Sequence, residues 1–127
     1  MKKRLHNLHL LKIPIEDKVK DLFRIALGYE LCQVECWILE SSDIVINIER
    51  KYSATETFLI QQCELELARD IGLTINQALK RKLALTLIRE FNLAVVEISF
   101  LKAATSRNFG LFVLIDRQPA RLSPLVG

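Results

Sequence analysis

Two segments of alternating apolar residues, two segments that open with capping boxes, and two further apolar segments follow one another between Cys32 and Asp116. Alternation places neighbouring side chains on opposite faces of a strand, whereas apolar spacings of three and four build one face of a helix. The order strand-strand-helix-helix-strand-strand, preceded by one more helical pattern, predicts an α+β fold. An N-terminal helix leads into a β-β-α-α-β-β unit, with a four-stranded antiparallel sheet packed on helices.

Each element has its own signature. Pro14 suits the first turn of a helix, Glu16 and Asp17 favour the positive end of its dipole, and Gly28 is a natural stop. Between them Ile15, Val19, Leu22, Phe23 and Ala26 form an apolar stripe. In the first strand pair the even positions are apolar: Cys32, Val34, Cys36 and Ile38, then Ile44, Ile46 and Ile48. Pairing even with even positions requires a loop of odd length, so the turn around Ser41-Ser42-Asp43 should contain three or five residues or a bulge. Ser53-Ala54-Thr55-Glu56 and Thr74-Ile75-Asn76-Gln77 read as capping boxes. With Gly72 between them, two helices are expected, carrying the stripes Ile60, Cys63, Leu67, Ile71 and Ile75, Leu79, Leu83, Leu87, Phe91, although one long bent helix also fits. The first is acidic (Glu56, Glu64, Glu66, Asp70) and the second basic (Lys80, Arg81, Lys82, Arg89). In the third strand Ala94, Val96, Ile98 and Phe100 share a face. Phe109 to Ile115 is apolar at every parity, the mark of a central strand or one covered on both sides.

A length of 127 residues fits one domain. Residues 1–13 read as a basic arm, 14–116 as the α+β domain and 117–127 as a flexible tail. Eighteen basic against fifteen acidic residues leave a net charge of +3, too even a balance for a typical nucleic-acid binder. The longest apolar runs are about seven residues and do not span a bilayer. No apolar core or cleavage site follows the basic Met1-Lys2-Lys3-Arg4, so a cytoplasmic protein is expected. Three cysteines, Cys32, Cys36 and Cys63, do not make a disulfide framework.

The chemistry-bearing residues form no constellation. His6 and His9 have no Cys or acidic cluster to complete a metal site. Glu35, Glu49 and Glu97 read as the wet face of a sheet rather than an acid/base pair. No phosphate-binding glycine loop is present. Neither a catalytic residue nor a cofactor is therefore expected. Two surfaces remain. Trp37, Leu39 and Val45 lie opposite the clean apolar stripe of the first hairpin, on a face too apolar to stay wet; Leu93, Val95 and Leu101 are expected to join them. Lys80, Arg81 and Lys82 form a basic patch for an acidic partner.

Gly28-Tyr29-Glu30-Leu31-Cys32-Gln33-Val34-Glu35-Cys36, then Asp43-Ile44-Val45-Ile46, then Ser53-Ala54-Thr55-Glu56 and the join Phe91-Asn92-Leu93-Ala94-Val95-Val96 resemble the MpsC-like family. Leu31 stands where that family usually has proline, and Ser53 where it has threonine, so the chain resembles a divergent member. The resemblance implies a soluble accessory component of a sodium-translocating, membrane-potential-generating system. It carries over no catalytic residue. The expectation is a non-enzymatic regulatory protein that forms a homodimer through Trp37, Leu39 and Val45 and contacts a membrane ion or inorganic-carbon transporter subunit. The alternatives are a small-ligand module with a pocket between sheet and helices, or a weak RNA- or DNA-binding module using the basic arm and Lys80-Arg81-Lys82.

Overall fold

The computed structural model describes residues 9–27, 33–101, 105 and 107–116. Among them the elements run α1 (Lys12–Leu27), β1 (Gln33–Ile38), β2 (Ile44–Glu49), α2 (Ala54–Gln61), α3 (Leu65–Glu90), β3 (Val95–Phe100) and β4 (Asn108–Ile115). This is the α+β order read from the patterns. The segments 1–8 and 117–127, the helix stop at Gly28 and the strand position Cys32 lie outside the described residues. Helix α1 begins two residues before Pro14, inside the stretch assigned to the arm. Proline is tolerated there because first-turn N–H groups have no intrahelical acceptor.

The sheet is antiparallel throughout, in the order β1-β2-β4-β3. Cys36 pairs with Ile46 and Ile38 with Ile44, so the first hairpin joins even positions to even positions. A five-residue connection, 39–43, makes that possible. It closes with Leu39 N–H donating to the Asp43 carbonyl at 2.9 Å, and Ser42 takes the left-handed conformation at φ 76°. As expected from its doubly apolar pattern, β4 is a central strand.

One face of the sheet carries the core. Val34, Cys36, Ile44, Ile46, Ile48, Ile98, Phe109, Leu111, Val113 and Ile115 pack with Ile15, Val19 and Phe23 of α1 and with Leu79, Leu83 and Leu87 of α3. Fully burying such a side chain stabilises by roughly 1.5–3 kcal/mol, which outweighs the few tenths that separate helix propensities. The rings of Phe23, Phe109 and Phe100 meet in sequence, with centroids 6.4 and 5.8 Å apart.

Two expectations are corrected. The first concerns the helices. No break occurs at Gly72: α3 runs through it, and the Thr74 hydroxyl donates to the Asp70 carbonyl within the helix rather than capping a new one. The break falls at 62–64 instead. Cys63 N–H bonds to the Ile60 carbonyl and Glu64 N–H to the Leu59 carbonyl, with Cys63 at φ 61°. That is a Schellman stop, in which a cysteine occupies the position glycine usually takes. Cys63 and Leu67, expected in an apolar stripe, are consequently exposed. The second correction concerns β3. A bulge between Val95 and Glu97 inserts Val96 as an unpaired residue. Val95 therefore packs against the core while Val96 is 60% exposed, and the expected Val96-Ile98-Phe100 face begins only after the bulge.

Replacing Cys63 by Gly should stabilise the fold by about 1 kcal/mol, because an L-residue in the left-handed conformation costs about 1–2 kcal/mol. Urea unfolding of the two proteins checks this; a loss of stability would contradict the Schellman reading.

Candidate functional site

Strand β2 ends by delivering a charge into the interior. Arg50 continues the even-numbered, inward-facing series after Ile48, and its side chain is fully buried. All five guanidinium N–H groups find acceptors. Nε donates to Asn76 Oδ1 (2.9 Å), one terminal nitrogen to Glu56 Oε1 (2.7 Å) and the Lys51 carbonyl (2.9 Å), and the other to Glu56 Oε2 (3.0 Å) and the Gly72 carbonyl (3.3 Å). A planar fork of five donors is what makes arginine suitable for such a site. Glu56, also fully buried, is at the same time the third residue of the α2 capping box. Its Oε1 accepts from Ser53 N–H (2.8 Å), while its own N–H donates to Ser53 Oγ (3.2 Å). One ion pair thus ties the end of β2 to the start of α2 and the middle of α3. Burial pushes the Glu56 carboxyl up, but bonds from Arg50 and Ser53 outweigh it and leave the pKa below its ordinary 4.5.

The opposite face of the sheet is not covered by α1 or α3. Register divides it into two halves. Toward the β1–β2 turn, Trp37, Val45 and Phe112 stand side by side across three strands; Leu114 follows Phe112 on the same face of β4, and Leu39 lies beside the turn. Trp37 is 41% exposed, Leu39 38% and Leu114 37%. Toward the other end lie Gln33, Glu35, Asn47, Glu49 and Asn108. Between the halves sits Gly110, where a Cβ would come within 2.7 Å of both Asn47 Oδ1 and Leu101 Cδ1; Leu101 occupies that space. Trp37 and Val45 are brought together as the parity argument expected, with Leu101 on the same side. Leu93 and Val95, expected there, are instead turned toward the core.

Both edges of the sheet are blunted. On β1, Cys36 N–H points away from β2 and donates to Glu16 Oε2 at 2.8 Å, and Lys12 Nζ reaches the same oxygen at 2.8 Å. Burial raises the Glu16 pKa and these two bonds lower it, with the lowering the larger in sum. Glu16, read from sequence as a helix-dipole residue, is thus a side chain that occupies a strand edge. On β3 the bulge at Val96 interrupts regular pairing.

The basic cluster divides. Lys80 Nζ lies 4.9 Å over the Phe100 ring, whereas Arg81 and Lys82 are exposed. Consecutive residues point about 100° apart around a helix, so the three do not share one face. Glu35 and Glu49 lie near one end of the outer face and Glu97 beside Leu114 at the other. Among the described residues no group of three or more His, Cys, Asp or Glu side chains is placed to hold a metal ion. Cys36 is buried, with its thiol pushed up to about 12, and is inert as a nucleophile.

A groove of about 640 Å³ opens beside the buried ion pair. Ile60 and Ala68 line its floor; Tyr52, Leu65 and Leu73 form its walls, with Arg69 and Thr105 as its polar members. Arg50 positions these walls through Lys51, Glu56 and Gly72, each next to or near a lining residue. The Arg107 guanidinium lies 5.0 Å over the Tyr52 ring.

Substituting Glu56 by Gln should destabilise by about 3–5 kcal/mol, because Arg50 is left charged and unpaired in the interior. A joint Arg50→Met and Glu56→Leu change should recover much of that loss, measured by urea unfolding. The pH dependence has a definite sign. Glu56 and Glu16 have folded pKa values below 4.5, so the unfolded chain binds their protons more tightly. The stability they contribute is present above about pH 4.5 and is lost as pH falls through the lower folded values. A thermal midpoint that stays flat from pH 6 to pH 3 would contradict this.

Comparison of the chain with protein-family models, with curated proteins and with solved structures gave no match.

Proposed function

We propose that this chain is a non-enzymatic accessory protein that self-associates through the apolar half of its outer sheet face. The supporting observation is the cross-strand row Trp37-Val45-Phe112 with Leu114 beside it, an apolar surface on which neither α1 nor α3 packs. A second copy suits this surface for two reasons. With Glu16 occupying one strand edge and a bulge on the other, the face is better prepared for a partner than the edges are. Stacking two such faces about a two-fold axis lays apolar half on apolar half, as in aligned sheet packing. The halves holding Glu35 and Glu49 then point to opposite ends and stay in water, and Glu97, beside Leu114, lies on the edge strand β3 at the margin of the contact.

Magnitude decides what kind of dimer this is. With strands about 4.8 Å apart and same-face residues about 6.7 Å apart along a strand, the apolar half covers roughly 300 Å². A stable complex buries about 800 Å² per partner. The dimer is therefore transient, forming at tens to hundreds of micromolar. Such an exchangeable contact suits a regulatory subunit. The partner class rests on the sequence resemblance to the MpsC-like family, which implies a membrane ion or inorganic-carbon transport system. Arg81 and Lys82 offer exposed charge to an acidic partner surface.

Sedimentation equilibrium from 10 to 500 µM tests the reading. The average mass should rise from 14.6 kDa toward twice that value, and Trp37→Asp should hold it at the monomer with the far-ultraviolet spectrum unchanged. A wild-type chain that stays monomeric across the range would overturn the proposal.

A further inference from the structure

The groove beside the buried ion pair has features unlike a plain surface crease. Its rim is apolar as well as its floor: Leu65 is 64% exposed, Leu73 42% and Tyr52 39%. A volume of about 640 Å³ falls in the range of small-molecule sites, which run from about 300 to 1,000 Å³ and combine apolar walls with a few polar groups. The charge is specific in sign. Among the described lining residues Arg69 alone is charged. At about 100° per residue it shares a helix face with Leu65, Gly72, Leu73 and Asn76, the side that turns inward further along α3. Glu66 and Asp70 are about 60° and 100° away on the solvent flank. Among the described residues neither pairs with Arg69, and no other hydrogen bond or ion pair engages it. Arg107, whose Nε donates to the Arg50 carbonyl, stacks on the lining residue Tyr52 and adds positive charge nearby.

We infer that this groove binds a single-chain amphipathic carboxylate of the fatty-acid class, with the aliphatic chain along Ile60, Ala68 and the leucines and the carboxylate on Arg69. The chemistry is complementary at both ends. The apolar walls leave water as the chain enters. The guanidinium supplies parallel donors to a carboxylate at a site where, among the described residues, no acceptor engages it. Its alkyl stem lies along the wall while its head stays at the rim, the usual behaviour of arginine on an apolar surface. The described lining comes from α2, α3, the segment after β2 and Thr105 between β3 and β4, and shares no residue with the apolar sheet face; the site stands or falls independently of self-association.

The test uses the 127-residue chain carrying Trp37→Asp, so that self-association does not enter the readout. Dodecanoate, kept below its micelle concentration, and dodecanol are titrated separately and followed by calorimetry and by backbone amide shifts. Dodecanoate should bind saturably at one per chain, with the largest shifts at Ala68, Arg69 and Leu73. Arg69→Gln should weaken dodecanoate about tenfold and leave dodecanol unchanged; Leu73→Asp should weaken both. Both positions are exposed, and circular dichroism verifies that the variants fold. Absence of saturable binding, shifts centred on Val45 and Phe112, or equal affinity of Arg69→Gln and its parent for dodecanoate would each overturn the inference. A rise in mass abolished by Leu73→Asp would assign the groove to a second copy and overturn it too.

Discussion

The buried pair Arg50–Glu56 is the interaction on which the arrangement of this protein depends. Taking two charges out of water is costly, and their attraction offsets the cost only with good geometry and with every remaining donor and acceptor satisfied. Both conditions hold: the contact is bidentate, all five arginine N–H groups are bonded, and no described buried side-chain polar atom lacks a partner. The consequence is directional. Hydrophobic burial would tolerate α2 and α3 sliding along the sheet, because it is proportional to area and indifferent to orientation. The guanidinium fork is not indifferent. It accepts one placement of the α2 N-terminus and one placement of Gly72 and Asn76.

From that placement come the two surfaces. With α3 tied to the end of β2, its second half lies on the core face against β3 and α1, and the other side of the sheet is left to Trp37, Val45, Phe112 and Leu114. The first half of α3 passes beyond the sheet against α2. Leu65, Arg69 and Leu73 there continue the inward-facing stripe with too little sheet beneath them, and the groove is the result. The two surfaces thus differ in origin: one belongs to a sheet with a helix layer on a single side, the other to a helix longer than the sheet it covers.

Much of the secondary structure was legible in the sequence. Parity predicted a hairpin loop of odd length, and a five-residue loop joins Ile38 to Ile44. The Ser53 box caps α2 as read. What misled was punctuation. Gly72 and Thr74-Ile75-Asn76-Gln77 look like a stop and a start, yet a glycine in a helix costs only about 1 kcal/mol relative to alanine. The Gly72 carbonyl and the Asn76 side chain both serve Arg50, and packing of α3 outweighs the propensity. The true stop at Cys63 carries no glycine and so gave no local sign. Val96 was misplaced because a bulge shifts parity by one and alternation alone does not reveal it. Arg50 itself leaves a trace in the sequence: it extends the even-numbered apolar series Ile44, Ile46, Ile48 by one step. An arginine at the end of a strand reads as a solvated charge unless its parity is followed through.

By itself the sequence determined the order of strands and helices, the apolar face of most of them, and that the first hairpin carries a second, partly apolar face. These properties are local, set by the two-residue and 3.6-residue periods of the backbone. Only the tertiary structure decided the rest: that β4 inserts between β2 and β3, that Phe112 joins Trp37 and Val45 in one row, that Glu16 occupies a strand edge, and that Arg50 is buried rather than wet. Each of these depends on contacts between residues distant in the chain, and a periodicity says which way a side chain points without saying what it meets.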